Sequence, residues 1–483
     1  MVRQLTLIHD NFVVMKRFIL TLISFHLLCA VQAQHAHIYG SVANFTSGKI
    51  YLLKELPFTT DWPVIDSAVT NATGNFVFHV ASKEPMMSAL RFNDKVLRMY
   101  VSPDDSLYIT LDINIWPQSI SFSGKGGKEN NFYLHYRLYR TAPLNQNLLY
   151  GGYPQGIAYV ADTCYANTAS AFQEQFKPGE AGPYFEAFMS QLALYQSAVK
   201  KLMFPVYQKY VKRDDSLQAS IDTSYFSFLK KIPFDVPPLY QADVYSQFLY
   251  WYYKNRAYEA LGQPRIFEDD ERILTKQFDI ARTELKGKPY EIHAAYVINK
   301  MISKNYITNA GKMIEYLKQN GASPDVVIAL DRAYLRLAHL SLGAVARDFT
   351  CADSSGNMVS LSSLKGKIVY IDFWASWCGP CRKEMPYSRM LIDSFKNKPV
   401  TFLFVSIDTD KANWKRAMKQ EKLNGIHLID PKGWQSSILK DYNFTSIPHY
   451  VLIDASGHIV NADAPRPSGG AYGTIKQLLI SHK

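Results

Sequence analysis

The chain reads as a multidomain protein with an N-terminal all-β domain, an α-helical middle domain and a C-terminal α/β domain. Three observations predict this order. At 483 residues the chain exceeds what one hydrophobic core ordinarily supports. Its apolar periodicity shifts from strand-like alternation to helical spacing near residue 128, and to alternating strands and helices near residue 343. Hydrophobic residues at 47% against 20% charged give the balance of folded domains rather than of a disordered chain.

The N-terminus comes first. From Met15 the sequence runs through Lys16 and Arg17 into an apolar stretch from Phe18 to Leu28, then Val31-Gln32-Ala33. A basic start, a short apolar core and small residues before a cut after Ala33 are the layout of a secretory signal peptide over residues 1–33. Met15 is an alternative start. An uncleaved anchor is the competing reading, although the apolar stretch is short for a bilayer. Lipid attachment at Cys29 is disfavoured, because His26-Leu27-Leu28 does not supply the small residue that acylation wants before the cysteine.

Residues 35–126 alternate apolar and polar side chains in short runs such as HIYGSV, GNFVFHV and SLYITLD, punctuated by Gly74-Asn75 and Ser102-Pro103-Asp104-Asp105. A small β-sandwich or half-barrel is expected there. Residues 128–342 carry helical spacing, clearest over 185–202, 245–261, 270–285 and 324–342, and Pro233, Pro237 and Pro238 interrupt it. Much of the 32-tyrosine surplus lies here, as in Tyr250-Trp251-Tyr252-Tyr253, and at that spacing it suits core packing better than a peptide groove. Residues 343–483 alternate strands and helices, which argues for a central sheet covered on both faces.

The formal charge of +11 is spread along the chain without a basic block. With no nucleic-acid-reading motif beside it, nucleic acid is not expected as a partner. Outside the leader four cysteines remain, Cys164, Cys351, Cys378 and Cys381. These are too few for a disulfide-built scaffold, and the close pair points to chemistry. A Cys164–Cys351 bridge stays open, although both suit buried small residues.

Trp377-Cys378-Gly379-Pro380-Cys381 follows a strand and opens a helix. A cysteine at a helix N-terminus has its thiolate favoured by free backbone N–H groups and the dipole, so Cys378 is the expected nucleophile. Cys381, one turn on, would resolve the mixed disulfide. Pro380 suits the first helical turn. A zinc site would need a second ligand pair, which the sequence nearby lacks; no metal and no cofactor are expected. Asp372 lies in the otherwise apolar run Ile368–Trp374, where burial would raise its pKa and suit it to accept a proton from Cys381. A capping or solvent-facing carboxylate is the alternative. Glu384 falls on the helix face of Cys381, either tuning the pair or simply exposed. Ser446-Ile447-Pro448-His449 places a proline at the start of a strand, a candidate cis peptide that would present backbone to an extended substrate.

Together, the segment 372–381, Leu361–Lys367, Glu384-Met385-Pro386, Val405–Asp408 and Ile447-Pro448 resemble the TlpA/ResA-like extracytoplasmic branch of the thioredoxin family, related to the AhpC/TSA proteins. The resemblance covers residues 343–483. It implies a thioredoxin-like domain, a redox-active disulfide Cys378–Cys381, Asp372 as buried acid, Glu384 as an active-site glutamate and Pro448 as cis-proline. Trp377, Gly379, Pro380 and Ile447 would then meet substrate. It further implies a periplasmic thiol–disulfide oxidoreductase that reduces disulfides in extracytoplasmic proteins, supplied by a membrane thiol-transfer electron donor. A peroxidase is the lesser expectation, since W-C-G-P-C replaces the lone-cysteine loop that activity needs. The alternative from another class is a cell-envelope binding protein with an accessory redox module.

Overall fold

The computed structural model describes residues 35–140, 154–212, 223–262 and 269–481. The expected leader, with Cys29 and the cut after Ala33, lies outside the described residues. The chain forms two compact units. The described part of the first is 35–55, 62–140 and 162–194; the second takes 56–61, 154–161 and the described residues from 195 onward.

The first unit holds eight strands: β1 (His35–Ala43), β2 (Lys49–Lys54), β3 (Val64–Val69), β4 (Asn75–Ala81), β5 (Met86–Phe92), β6 (Lys95–Val101), β7 (Ser106–Asp112) and β8 (Ser121–Lys125). They form two four-stranded sheets, ordered β4-β1-β7-β8 and β3-β2-β5-β6. Alternation explains the layering: Ile38, Phe78, Leu107 and Ile109 from one sheet meet Ile50, Leu90, Phe92 and Met99 from the other in one core. Helix α1 (Gly127–His135) follows. Its Asn130 exchanges hydrogen bonds with the Tyr100 backbone at 2.8 and 2.7 Å, and Asn131 does the same with Phe122 at 2.9 and 2.7 Å. Strand β3 escaped the sequence pattern because nearly all its side chains are exposed, so its apolar residues do not alternate with a buried face.

Helices α2 (Pro154–Gln175) and α3 (Pro183–Lys212) are each divided between the units. In the second unit come α4 (Asp243–Ala260), α5 (Glu271–Glu284), α6 (Gly287–Ser303), α7 (Ile307–Gln319) and α8 (Pro324–Leu337). Tyr245, Tyr253 and Tyr258 of α4 are buried, so the tyrosine surplus there is core.

The remainder of the second unit begins with the hairpin β9 (Thr350–Asp353) and β10 (Met358–Ser360), then β11 (Ile368–Trp374), α9 (Gly379–Ser394), β12 (Val400–Ser406), α10 (Lys411–Glu421) and β13 (Ile426–Ile429). It closes with α11 (Ser437–Asp441), β14 (His449–Ile453), β15 (Ile459–Asn461) and α12 (Ala471–Ser481). The seven strands order as β10-β9-β13-β12-β11-β14-β15; β11, β12 and β13 run parallel, and β14 runs antiparallel to β11. Every residue of β11 is buried, as a run apolar but for Asp372 requires of a central strand. This is the thioredoxin-like domain, and the C-terminal end of β11 delivers the chain to the cysteine pair. Cys164 and Cys351 are both free thiols. Among the described residues no helix is long and apolar enough to cross a membrane.

Candidate active site

Strand β11 ends at Trp374 and a turn carries the chain into α9. The turn is held from the neighbouring strand. Asp408 accepts from the Ser376 backbone N–H at 2.8 Å and from its hydroxyl at 2.7 Å, while Ser406 Oγ donates to the same carboxylate at 2.7 Å. Cys378 is the N-cap of α9, and its sulfur accepts from the Cys381 backbone N–H at 3.1 Å. That is the contact expected where a helix presents unsatisfied amides to a polarisable sulfur. Cys378 and Cys381 are joined in a disulfide with Cα atoms 5.3 Å apart. Both are buried, Cys378 at 4% exposed and Cys381 at 1%.

Beside them, the Ile447–Pro448 peptide is cis, and Ile447 O lies 3.8 Å from Cys378 Sγ. Pro448 leads directly into β14, so the backbone before it ends at the disulfide. Gly379 and Pro380 are exposed. A Cβ at Gly379 would meet nothing within 4 Å, so the surface at Gly379 itself is open. Trp377 is 58% exposed, with its ring 6.2 Å from that of Trp434, itself 46% exposed. Gly433, in a left-handed conformation at φ 56°, opens the turn that presents Trp434.

Asp372 lies within β11, between Phe404 of β12 and Tyr450 of β14 in register. It is 2% exposed, and its Oδ1 has no hydrogen-bond partner. Burial, and then the nearby Glu384 carboxylate, holds its pKa well above the ordinary carboxylate range. Glu384 is buried too: Ser468 donates to it from its backbone N–H at 3.0 Å and its hydroxyl at 2.8 Å. The exposed alternatives for both carboxyls are therefore corrected. Burial likewise pushes the Cys351 thiol up to about 12, which makes it inert as a nucleophile near neutral pH.

Of the sequence-predicted residues, Trp377, Cys378, Gly379, Pro380 and Cys381 stand at the start of α9 with the Ile447–Pro448 backbone across from Cys378, while Asp372 lies buried in β11 and Glu384 lies buried one turn after Cys381 in α9. Ser468 and Trp434 were missed. Neither carries a local signal, because each reaches the site only through a loop distant in sequence. The arrangement holds one sulfur at a helix start with a second one turn on, an acid of raised pKa, and the half-buried Ile447–Pro448 backbone facing the first sulfur. It has the parts for thiol–disulfide exchange.

Comparison with known proteins agrees. The Redoxin family model matches residues 342–474. The thiol-disulfide oxidoreductase ResA of Bacillus thuringiensis subsp. konkukian is 34% identical over 121 residues, covering 25% of this chain and 68% of that protein. ResA of Bacillus subtilis is 32% identical over 121 residues, covering 25% and 66%. Among solved structures, the thioredoxin domain of a thiol-disulfide oxidoreductase from Bacteroides vulgatus is 34% identical, covering 29% of this chain and 98% of that domain, with a TM-score of 0.27. The first 340 or so residues lie outside the family match. Through its C-terminal domain, the chain belongs to the ResA-like thiol-disulfide oxidoreductases, enzymes whose substrates contain disulfides.

Proposed function

We propose that the protein is a periplasmic oxidoreductase that reduces disulfides of extracytoplasmic proteins through Cys378 and Cys381. The observation that carries this reading is the disulfide at the start of α9, facing the Ile447–Pro448 backbone across 3.8 Å. In the reduced protein, the Cys378 thiolate attacks one sulfur of a substrate disulfide. A Cys378–substrate bond forms and the other substrate sulfur leaves as a thiolate. Asp372, which first gives up its own proton to solvent, accepts the Cys381 proton; Cys381 then attacks Cys378 Sγ, closing the protein disulfide and expelling the second substrate thiolate, which takes up the proton. Two electrons pass to the substrate and must be restored. A membrane thiol-transfer donor is the class of partner that can restore them outside the cytoplasm.

Ile447 and Pro448 are assigned to backbone pairing with an extended substrate, Trp377 and the open Gly379-Pro380 surface to its flanking residues, and Glu384 to tuning Asp372. Export is supported by the leader-like residues 1–33, followed in this reading by a β domain at 35–126, a helical domain at 128–342 and the redox domain at 343–483. The test is insulin reduction with dithiothreitol as electron source. Wild type should accelerate precipitation, Cys378→Ser should be inert, and Cys381→Ser should accumulate covalent Cys378–substrate adducts. An active Cys378→Ser variant would sink the assignment.

A further inference from the structure

The loop that reaches the disulfide is not held by the thioredoxin-like domain alone. Ahead of Ile447 the chain runs Asp441-Tyr442-Asn443-Phe444, and two residues from the helical part of the same unit, together with Arg347 of the redox domain, grip this stretch. Asn305, in the turn between α6 and α7, accepts from Asn443 Nδ2 at 2.7 Å and directs its own Nδ2 to the carbonyls of Tyr442 at 3.3 Å and Asn443 at 3.5 Å. His339 Nε2 lies 2.7 Å from Asp441 O. Arg347 forms an ion pair with the Asp441 carboxylate, and Tyr442 OH donates to Arg347 O at 2.7 Å.

This grip continues inward. Phe444 stacks on His449 of β14 and packs at a tilt against Phe373 of β11, each with ring centroids 4.6 Å apart, so the segment between Asn443 and Pro448 is tied at both ends. Ile447 O, in that segment, lies 3.8 Å from Cys378 Sγ. Asn305 is 9% exposed and both its side-chain polar atoms are engaged, which makes it a buried amide committed to one loop. Asn305 and His339 both lie before residue 342, outside the family match, so this support belongs to the chain's own helical region.

We infer that Asn305 is a positioning residue for the substrate-pairing backbone at Ile447, and that through it the helical region sets how well the redox site engages extended protein disulfides. The inference rests on the proposed role of the Ile447–Pro448 backbone. It assigns the helical contact to substrate engagement and leaves sulfur chemistry to the start of α9.

Asn305 and Asn443 both have left-handed backbones, at φ 60° and 49°. Glycine adopts that conformation without strain, so Asn305→Gly and Asn443→Gly remove the side chains while sparing the turns. In the full chain, each variant should raise KM for insulin about tenfold, the effect of losing one buried hydrogen bond, with kcat changed less than about twofold. The double variant should be no worse than either single one. Reduction of oxidised glutathione, too small to pair along the loop, should be unchanged, as should the pH profile of Cys378 alkylation. Amide exchange should speed up over residues 444–449 but not within α9. An unchanged insulin KM with an active wild type would overturn the inference, as would an equal fall in glutathione turnover. Should wild type leave insulin untouched, the proposed function fails instead. The exchange measurement then decides alone: faster exchange at 444–449 supports the positioning role and unchanged exchange removes it.

Discussion

Asp372 is a carboxyl that the fold holds against its own ionisation. In an unfolded chain it would lose its proton near pH 4, whereas burial keeps the native carboxyl protonated well above that. Through this window the native state holds the extra proton, so stability falls as pH rises from the ordinary carboxylate value to the raised one. Asp372→Asn is neutral at every pH and removes that slope. Tm is expected to rise at pH 8 while changing little at pH 4. Resolution should slow by about a hundredfold, read as the lifetime of the mixed disulfide on rapid mixing. A stabler, slower enzyme is the signature of a group retained for its chemistry. Asp372 was legible because a lone acid interrupts seven residues of β11 that are otherwise apolar. Ser468 was not, because it contacts Glu384 from 84 residues away and nothing around it is periodic.

At the scale of elements, the active-site turn is tied to its sheet by Asp408. That carboxylate is 2% exposed and collects the Ser376 and Ser406 hydroxyls and the Ser376 N–H. Asp408→Ala takes this acceptor from the buried Ser406 hydroxyl and from the half-buried Ser376 donors. It should lower stability by about 2–4 kcal/mol in urea unfolding followed by tryptophan fluorescence. Loss of the tie should also slow insulin reduction, and a variant as stable as wild type would refute the tie. The strands and helices of this domain were legible: β11, β12 and β14 are mostly apolar runs, and α10 starts at the Asp410 cap, whose carboxylate accepts from Ala412 N–H at 2.7 Å. Helix α6 was less legible. Its Ala294, Ala295, Val297 and Ile298 are all buried, so no polar face marks it as amphipathic.

For the molecule as a whole, acid is the expected weakness. His449 and His293 are buried in the second unit, and burial lowers their pKa values to about 4 and about 3. Unfolded, both would take up a proton near pH 6.5. The unfolded state therefore binds more protons below that value, and the stability present above pH 6.5 is lost as pH falls toward 4 and below. Chemical denaturation midpoints are expected to decline over that range, and His449→Gln should flatten part of the decline. A midpoint constant from pH 7 to pH 4 would count against neutral buried imidazoles. Three structural regimes were readable from periodicity alone, but the partition of α2 and α3 between two compact units was not, because it depends on contacts between residues far apart in sequence.

Disulfide exchange by this protein depends on the sulfur at position 378 being the reactive one. The most direct measurement is the rate of iodoacetamide alkylation of the fully reduced protein across pH 4–10, with the modified cysteine located by mass spectrometry. Cys378 is expected to react first, with a rate that levels off well below the titration of a free cysteine at about pH 8.5, while Cys381 and Cys351 stay unmodified. A Cys378 profile that climbs through pH 8.5 like that of a free thiol, or faster modification at Cys381, would contradict it.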